Sequence, residues 1–263
     1  MIHLQAIESR AKAPNNAFPF NVPVIRSLRA LRFEQPITLF IGENGSGKST
    51  LLEAIAAGTS SISVGSQDVD VDASLSSPRE LARQLKFAWS RRTHRGFFLR
   101  AEDVFGFSGR VSRLKADLED SAAEFDQKLT GYGRQLAKGV VIGQSRALVA
   151  KYGENLDANS HGETFLTIFQ QRFVPDGLYL LDEPEGPLSV QRQLSLVALL
   201  REMVQQDAQF IIATHSPVLM SLPEADILSF DDGRVRKVAY TDIEALNLLR
   251  SFLNNPEAYL RRL

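Results

Sequence analysis

Nine consecutive residues near the start of the chain have the types and order needed to hold a triphosphate. In Gly42-Glu43-Asn44-Gly45-Ser46-Gly47-Lys48-Ser49-Thr50, the residues from Gly42 to Ser49 fit G-x-x-x-x-G-K-[ST] at every defined position. Glycines there let backbone N–H groups wrap closely around an anion, and a helix starting beyond the loop adds its dipole. Lys48 offers a positive charge to the β- and γ-phosphates, and Ser49 offers a hydroxyl to Mg2+. A second pair, Asp182-Glu183, follows the apolar run Leu178-Tyr179-Leu180-Leu181. The aspartate suits Mg2+ held through water, and the glutamate suits polarising an attacking water. A third position, His215, lies just past Phe210-Ile211-Ile212-Ala213. Taken singly, these features read as a glycine turn, an acidic helix cap and a structural histidine. Ligands of parallel sheets sit at the C-terminal ends of strands, and all three features fall there.

The elements that must position them are legible on either side. Ile37–Ile41 is a short apolar strand, and Leu51, Leu52, Ile55 and Ala56 follow the loop at helical spacing. Residues 178–181 and 210–213 predict two more buried strands. Helices are predicted from about His161 to Phe173 and over 188–206. The second has apolar positions Val190, Leu194, Val197, Leu200 and Val204. Residues 2–8 read as a strand or sheet edge, and the Pro- and Asn-rich stretch Ala13–Pro23 as a loop. A helix or strand segment runs from Pro78 to Trp89, and Gly96–Arg100 is strand-like. Leu114, Leu118, Ala122, Phe125, Leu129, Tyr132 and Leu136 line one helical face. Residues 227–230 and 235–240 form a hairpin turning at Asp231-Asp232-Gly233, and helices from Asp242 and Pro256 close the chain. Strands alternating with helices predict an α/β fold with a mainly parallel central sheet.

Composition narrows the partners. The 263 residues hold 44% hydrophobic and 23% charged types, enough to build a core and too ordinary for disorder. Lys plus Arg is 30 against 31 for Asp plus Glu, so bulk charge does not bind nucleic acid. With no cysteine, thiol catalysis, zinc ribbons and disulfide scaffolds are excluded. No apolar run reaches the ~18–20 residues of a membrane span, and residues 1–8 show no signal-like apolar core. The expectation is a cytoplasmic protein without direct membrane insertion.

Four motifs in order resemble the ATP-binding-cassette ATPase superfamily. They are the phosphate loop (Walker A), Leu178–Glu183 as the Walker B strand with its glutamate, Ser160-His161-Gly162-Glu163 as the signature, and Thr214-His215-Ser216. Ser160 precedes Asp182 by 22 residues, and Asp182 precedes His215 by 33. The resemblance covers about residues 2 to 240 and is greatest to the small stand-alone soluble members, the RecF-like or predicted AAA-family ATPases. It implies a P-loop NTPase fold over 1–263 as a single domain. Its central sheet is flanked by helices, with an N-terminal antiparallel β part and a helical insertion near 105–145. It also implies ATP and Mg2+ as cofactors, and a head-to-tail homodimer with ATP between the subunits. Ser160, Gly162 and Glu163 of one subunit would then meet the nucleotide held by the other. Glu183 would be the general base, His215 would clasp the γ-phosphate with Lys48, and Ser49 and Asp182 would serve the metal.

Several positions depart from the family pattern. His161 stands at the first signature glycine and Glu163 at the glutamine. Gly186-Pro187-Leu188-Ser189 lacks the aspartate that follows the Walker B strand. Glu102, just past Arg100, is the positional substitute for the Q-loop glutamine and its metal contact. Phe18 and Phe20 are candidates for adenine stacking, with core packing the plainer reading. Three uses of the ATPase are expected. The main one is work on DNA or a nucleoprotein, suggested by the Glu-ending signature and by Arg91-Arg92-Thr93-His94-Arg95 beside Trp89 and Phe97. The plainer reading of that run is a charge-guarded strand edge. The alternatives are the cytosolic ATPase subunit of a membrane transporter, and an ATP-gated dimerisation switch with slow hydrolysis.

Overall fold

The computed structural model describes residues 1–10, 16–63, 76–100, 139, 143 and 161–261, with the main chain alone for 161–164. In chain order the elements are β1 (Leu4–Ser9), α1 (Pro23–Ser27), β2 (Ala30–Arg32), β3 (Ile37–Ile41), α2 (Lys48–Thr59) and α3 (Ser76–Arg83). β4 (Leu85–Trp89), β5 (Gly96–Arg100), α4 (His161–Arg172), β6 (Leu178–Asp182), α5 (Val190–Gln205) and β7 (Gln209–Ala213) follow. The last are α6 (Pro217–Met220), β8 (Asp226–Ser229), β9 (Arg236–Val238), a 3-10 turn (Tyr240–Asp242), α7 (Glu244–Asn254) and α8 (Pro256–Leu260).

Six strands form the central sheet in the order β5-β6-β7-β3-β8-β9. All neighbours are parallel except β8 and β9, which pair antiparallel as the expected hairpin. A second sheet, β2-β1-β4, is antiparallel and holds the N-terminal strand. This is the α/β P-loop NTPase fold: a mostly parallel sheet flanked by helices, with an antiparallel N-terminal part.

Strands covered on both faces need apolar residues at every position. β3, β6 and β7 are buried throughout and apolar at all positions but Thr38, Asp182 and Gln209. Their side chains alternate between two cores. Ile37, Leu39, Tyr179, Leu181, Phe210 and Ile212 pack with Phe165 and Phe169 of α4 and Leu196, Leu200 and Met203 of α5. Phe40, Leu180, Ile211 and Ala213 pack with Leu51, Leu52 and Ile55 of α2 and with Leu4 and Ile7 of β1. One polar side chain joins the two sheets. Gln209, fully buried, accepts from the backbone N–H groups of His3 and Leu4 at 2.8 Å each and donates to Leu4 O at 2.9 Å.

Some local expectations need correction. Pro23 ends the predicted loop by opening α1, where its missing N–H costs nothing at a first helical position. The Pro78–Trp89 segment divides into the end of α3 and β4. On α5 the buried stripe is Leu196, Leu200 and Met203, whereas Val190 and Leu194 are exposed at 62% and 56%. The Leu114–Leu136 stripe, Glu102 and, apart from residues 139 and 143, the 105–145 insertion lie outside the described residues. Among the described residues, no helix is long and apolar enough to cross a membrane.

The Gln209 staple generates a stability prediction. Gln209→Leu keeps the volume but leaves two backbone donors and one acceptor buried without partners. It should destabilise the fold by about 2–4 kcal/mol. Urea denaturation checks this, with the midpoint expected to fall.

Candidate functional site

The site is built where β3, β6 and β7 end. β3 runs into the glycine loop, and α2 starts at Lys48 immediately after it. Gly47 has φ 102°, a left-handed conformation, and a Cβ there would lie 2.7 Å from Val24 Cγ1. A side chain at that position is therefore excluded twice, by backbone and by space. Gly42 has φ 140°, and a Cβ there would lie 2.9 Å from Asp231 Oδ1.

Asp231 was not foreseen as a site residue. It sits in the β8–β9 turn, where its Oδ1 accepts the backbone N–H of Glu43 at 2.8 Å and its Oδ2 accepts from Ser229 Oγ at 3.0 Å. The turn thereby braces the first bend of the loop.

Lys48 is buried, and its Nζ donates to the carbonyls of Gly42 and Glu43 at 2.7 and 2.9 Å. Burial pushes its ammonium below the ordinary lysine value, while Glu183, Asp182, Asp231 and Glu185 push it back up. The Ser46 hydroxyl is buried in the loop with no partner among the described residues. An unpartnered buried donor beside a lysine and a helix N-terminus fits an anion such as a phosphate.

Asp182 ends β6 and is 8% exposed. Ser49 Oγ donates to its Oδ1 at 3.1 Å. Burial pushes its carboxyl up to about 7, the Ser49 hydrogen bond opposes this, and the negative charges of Glu53 and Glu183 add to the rise. A hydroxyl converging on a buried carboxylate supplies the hard oxygen donors that Mg2+ prefers, so these two residues fit that ion. Bound there, Mg2+ would neutralise charge on phosphate oxygens. Next to Asp182 in register is Arg100, the last residue of β5, also buried and paired with Glu53 of α2 at 2.9 Å. Composition hid this pair, because an arginine ending a strand has no spacing signature.

Glu183 follows with φ 50°, a left-handed conformation unusual for a side-chain-bearing residue. Its carboxylate is half exposed and lies 3.6 Å from His215 Nε2. Its N–H donates to Ala213 O at 2.9 Å, so the turn after β6 stays tied to the end of β7. Glu185 is the second residue that was not foreseen. Its Oε1 accepts from Thr214 Oγ1, His215 N and Ser216 N at 2.7, 2.7 and 3.0 Å.

The structure thus brings Lys48, Ser49, Asp182, Glu183 and His215 to one edge of the sheet. Of the signature residues, Ser160 lies outside the described residues. Gly162 and Glu163 sit on the first turn of α4. Phe20 belongs to the core, as the plainer reading expected, and Phe18 is exposed. The basic run is partly engaged: Arg91 pairs with Asp176 at 2.8 Å, and Arg95 donates to Pro175 O at 3.4 Å.

Two family profiles match the chain: an AAA domain over residues 20–136, and "AAA domain, putative AbiEii toxin, Type IV TA system" over 161–221. The first covers the loop and α2, the second β6 and His215. Over these two segments the chain is similar to AAA-type ATPase domains. Relatives are consistent with this. The hemin import ATP-binding protein HmuV of Rhodopseudomonas palustris (strain BisB5) is 25% identical over 177 residues, 66% of this chain and 63% of that protein. An uncharacterized ABC transporter ATP-binding protein of Haemophilus influenzae is 28% identical over 187 residues, 70% of this chain and 65% of that one. The chain therefore spans just under two thirds of the length of these curated relatives. Among solved structures, cbiO1 from Clostridium perfringens aligns over 100% of both chains with TM-score 0.49 and 13% identity.

Within this P-loop domain, Asp182 generates a pH prediction. Its carboxyl titrates near 3.8 when unfolded and about 7 when folded. Between those values the folded state holds a proton that the unfolded chain has lost, so stability falls as pH rises through that window. Without divalent cation, urea midpoints should drop from about pH 4 to about pH 7, and Asp182→Asn should flatten that slope. Mg2+ selects the ionised carboxylate, so its affinity should rise with pH over the same window.

Proposed function

We propose that this chain binds ATP with Mg2+ at Gly42–Thr50 and hydrolyses it. One observation carries the reading. A lysine aimed into the loop, a Ser49–Asp182 pair and a Glu183–His215 pair meet at the ends of three adjacent parallel strands. Hydrolysis of a γ-phosphate needs charge neutralisation on one side and an oriented water on the other. Lys48, Ser49 and Asp182 would serve the first need. Glu183 would act as general base, with His215 beside it facing the γ-phosphate.

In this reading two copies close head to tail over ATP, and Ser160, Gly162 and Glu163 of one copy complete the site of the other. Closure would exclude water and meet the phosphate charge from the far side. For the use of the energy, the support has shifted from the main expectation to its alternative. Both curated relatives are named as ATP-binding proteins of import or transport systems. Arg91 and Arg95 hold the turn before β6, which removes part of the basic patch from the nucleic-acid reading. We therefore favour an ATPase subunit serving a separate membrane partner. The profile match over 161–221 lends its printed description to the other alternative, an ATP-gated switch in a toxin-linked system.

ATP turnover measured against protein concentration tests the proposal. Lys48→Ala should weaken nucleotide binding roughly 10- to 100-fold. Glu183→Gln should keep binding, lower kcat by at least about 100-fold and accumulate an ATP-bound dimer on size exclusion. Ser160→Arg should spare binding and block dimerisation. Full turnover in Glu183→Gln overturns the assignment of the base, and full turnover in Ser160→Arg overturns the head-to-tail arrangement. DNA-stimulated turnover would return the choice to nucleic acid.

A further inference from the structure

We infer that Glu185 is a positioning residue that sets His215 against Glu183, an inference resting on the ATPase reading above. The position carries no sequence signal of its own, being the fourth residue of Asp182-Glu183-Pro184-Glu185. Its geometry is specific. One carboxylate oxygen, Oε1, collects the Thr214 hydroxyl and the N–H groups of His215 and Ser216 at 2.7, 2.7 and 3.0 Å. Three donors from three consecutive residues leave that loop one arrangement. The other oxygen, Oε2, is buried with no partner among the described residues. The charge is therefore met by the loop rather than by solvent, and charge-assisted bonds of this kind are about twice as strong as neutral ones.

Neighbouring contacts make the loop stiffer still. Ser216 N also donates to Thr214 Oγ1 at 2.9 Å. Ser216 Oγ caps α6 by accepting from Val218 N and Leu219 N, and donates to Gln193 Oε1 at 2.6 Å. Gln193 Nε2 in turn donates to Leu188 O at 3.0 Å. The loop carrying His215 is thus pinned at both ends by the segment that follows Glu183. Glu183 and Glu185 lie on one turn, with Gly186 N donating to Glu183 O at 3.0 Å. That turn offers one carboxylate to the His215 ring and the other to the His215 backbone. The 3.6 Å separation of Glu183 and His215 is then a consequence of where Glu185 holds the main chain. Glu185 does not itself face the reacting atoms in this account; it acts through His215.

The test is a double-mutant cycle with a readout beyond activity. Glu185→Ala should lower kcat on the order of 100-fold, as expected for a misplaced group near the chemistry. ATP affinity should change little. On a His215→Ala background the same change should cost almost nothing further, since its effect passes through the missing ring. Glu185→Gln, which keeps an acceptor oxygen, should recover most of kcat. Amide exchange at 215 and 216 should speed up by about 10-fold or more in Glu185→Ala and stay slow in Glu185→Gln. A second full loss of kcat on the His215→Ala background overturns the inference, as does unchanged exchange. Should Glu185→Ala fail to fold, Glu185→Gln alone decides: near-native kcat with slow exchange at 215 and 216 supports the inference, and a large kcat loss that persists on the His215→Ala background overturns it. If the native protein turns over no ATP, the functional reading fails by itself. Exchange then still decides whether Glu185 holds the His215 loop.

Discussion

Parallel pairing of β3, β6 and β7 is the constraint on which the site depends. Each strand is five residues long and buried, so charged side chains have no place in its middle. They collect at the strand ends. Because the strands run parallel, those ends face the same way, and the register decides which residues meet. Asp182 pairs in register with Ala213 on one side and Arg100 on the other. A slip of one residue in β6 would exchange the two faces of that strand and move Asp182 away from Ser49. Register, fixed by two cores of interlocking side chains, therefore fixes the geometry of the site.

Charge is the second organising quantity. The edge gathers Lys48, Arg100 and His215 with Asp182, Glu183, Glu185, Glu53 and Asp231, several of them buried. Burial favours the neutral forms of Lys48 and Asp182, lowering the first and raising the second. Each charge is instead answered locally: Arg100 by Glu53, Glu185 by three donors, Asp231 by a backbone N–H and a hydroxyl. Asp182 is answered by one hydroxyl at 3.1 Å and by the charge of Arg100, and its carboxyl is still pushed up to about 7. That imbalance marks the place where a divalent cation would relieve the most strain.

Much of this was legible in the chain. Strand, glycine loop and helix followed from Ile37–Ala56, because the loop's residue types are dictated by backbone contact with an anion. The runs at 178–181 and 210–213 were equally readable, since short continuous apolar stretches bounded by glycine or polar residues have few other homes. What stayed hidden were side chains whose partners lie far along the chain. Gln209 reads as a polar flank until β1 arrives with three backbone groups to satisfy. Asp231 reads as a turn residue until Glu43 is found beside it. Helix α5 was read by period alone, which placed Val190 and Leu194 on the buried stripe. The sheet covers α5 chiefly from Leu196 onward, so the helix's first turns project beyond the sheet.

The turn after β6 shows why such long-range partners matter. Glu183 adopts φ 50°, a conformation that costs a residue with a Cβ about 1–2 kcal/mol. Isolated, the turn would relax and swing the carboxylate away from β7. Two ties oppose that relaxation: the Glu183 N–H bond to Ala213 O and the triple acceptance by Glu185. Both run to the end of β7 and the loop beyond it, so the strained residue and the histidine it faces are held by one network. Strain at Glu183 and rigidity at His215 are then two aspects of one arrangement. Neither residue type nor spacing in the sequence discloses it, because the network exists only once β6 and β7 lie side by side.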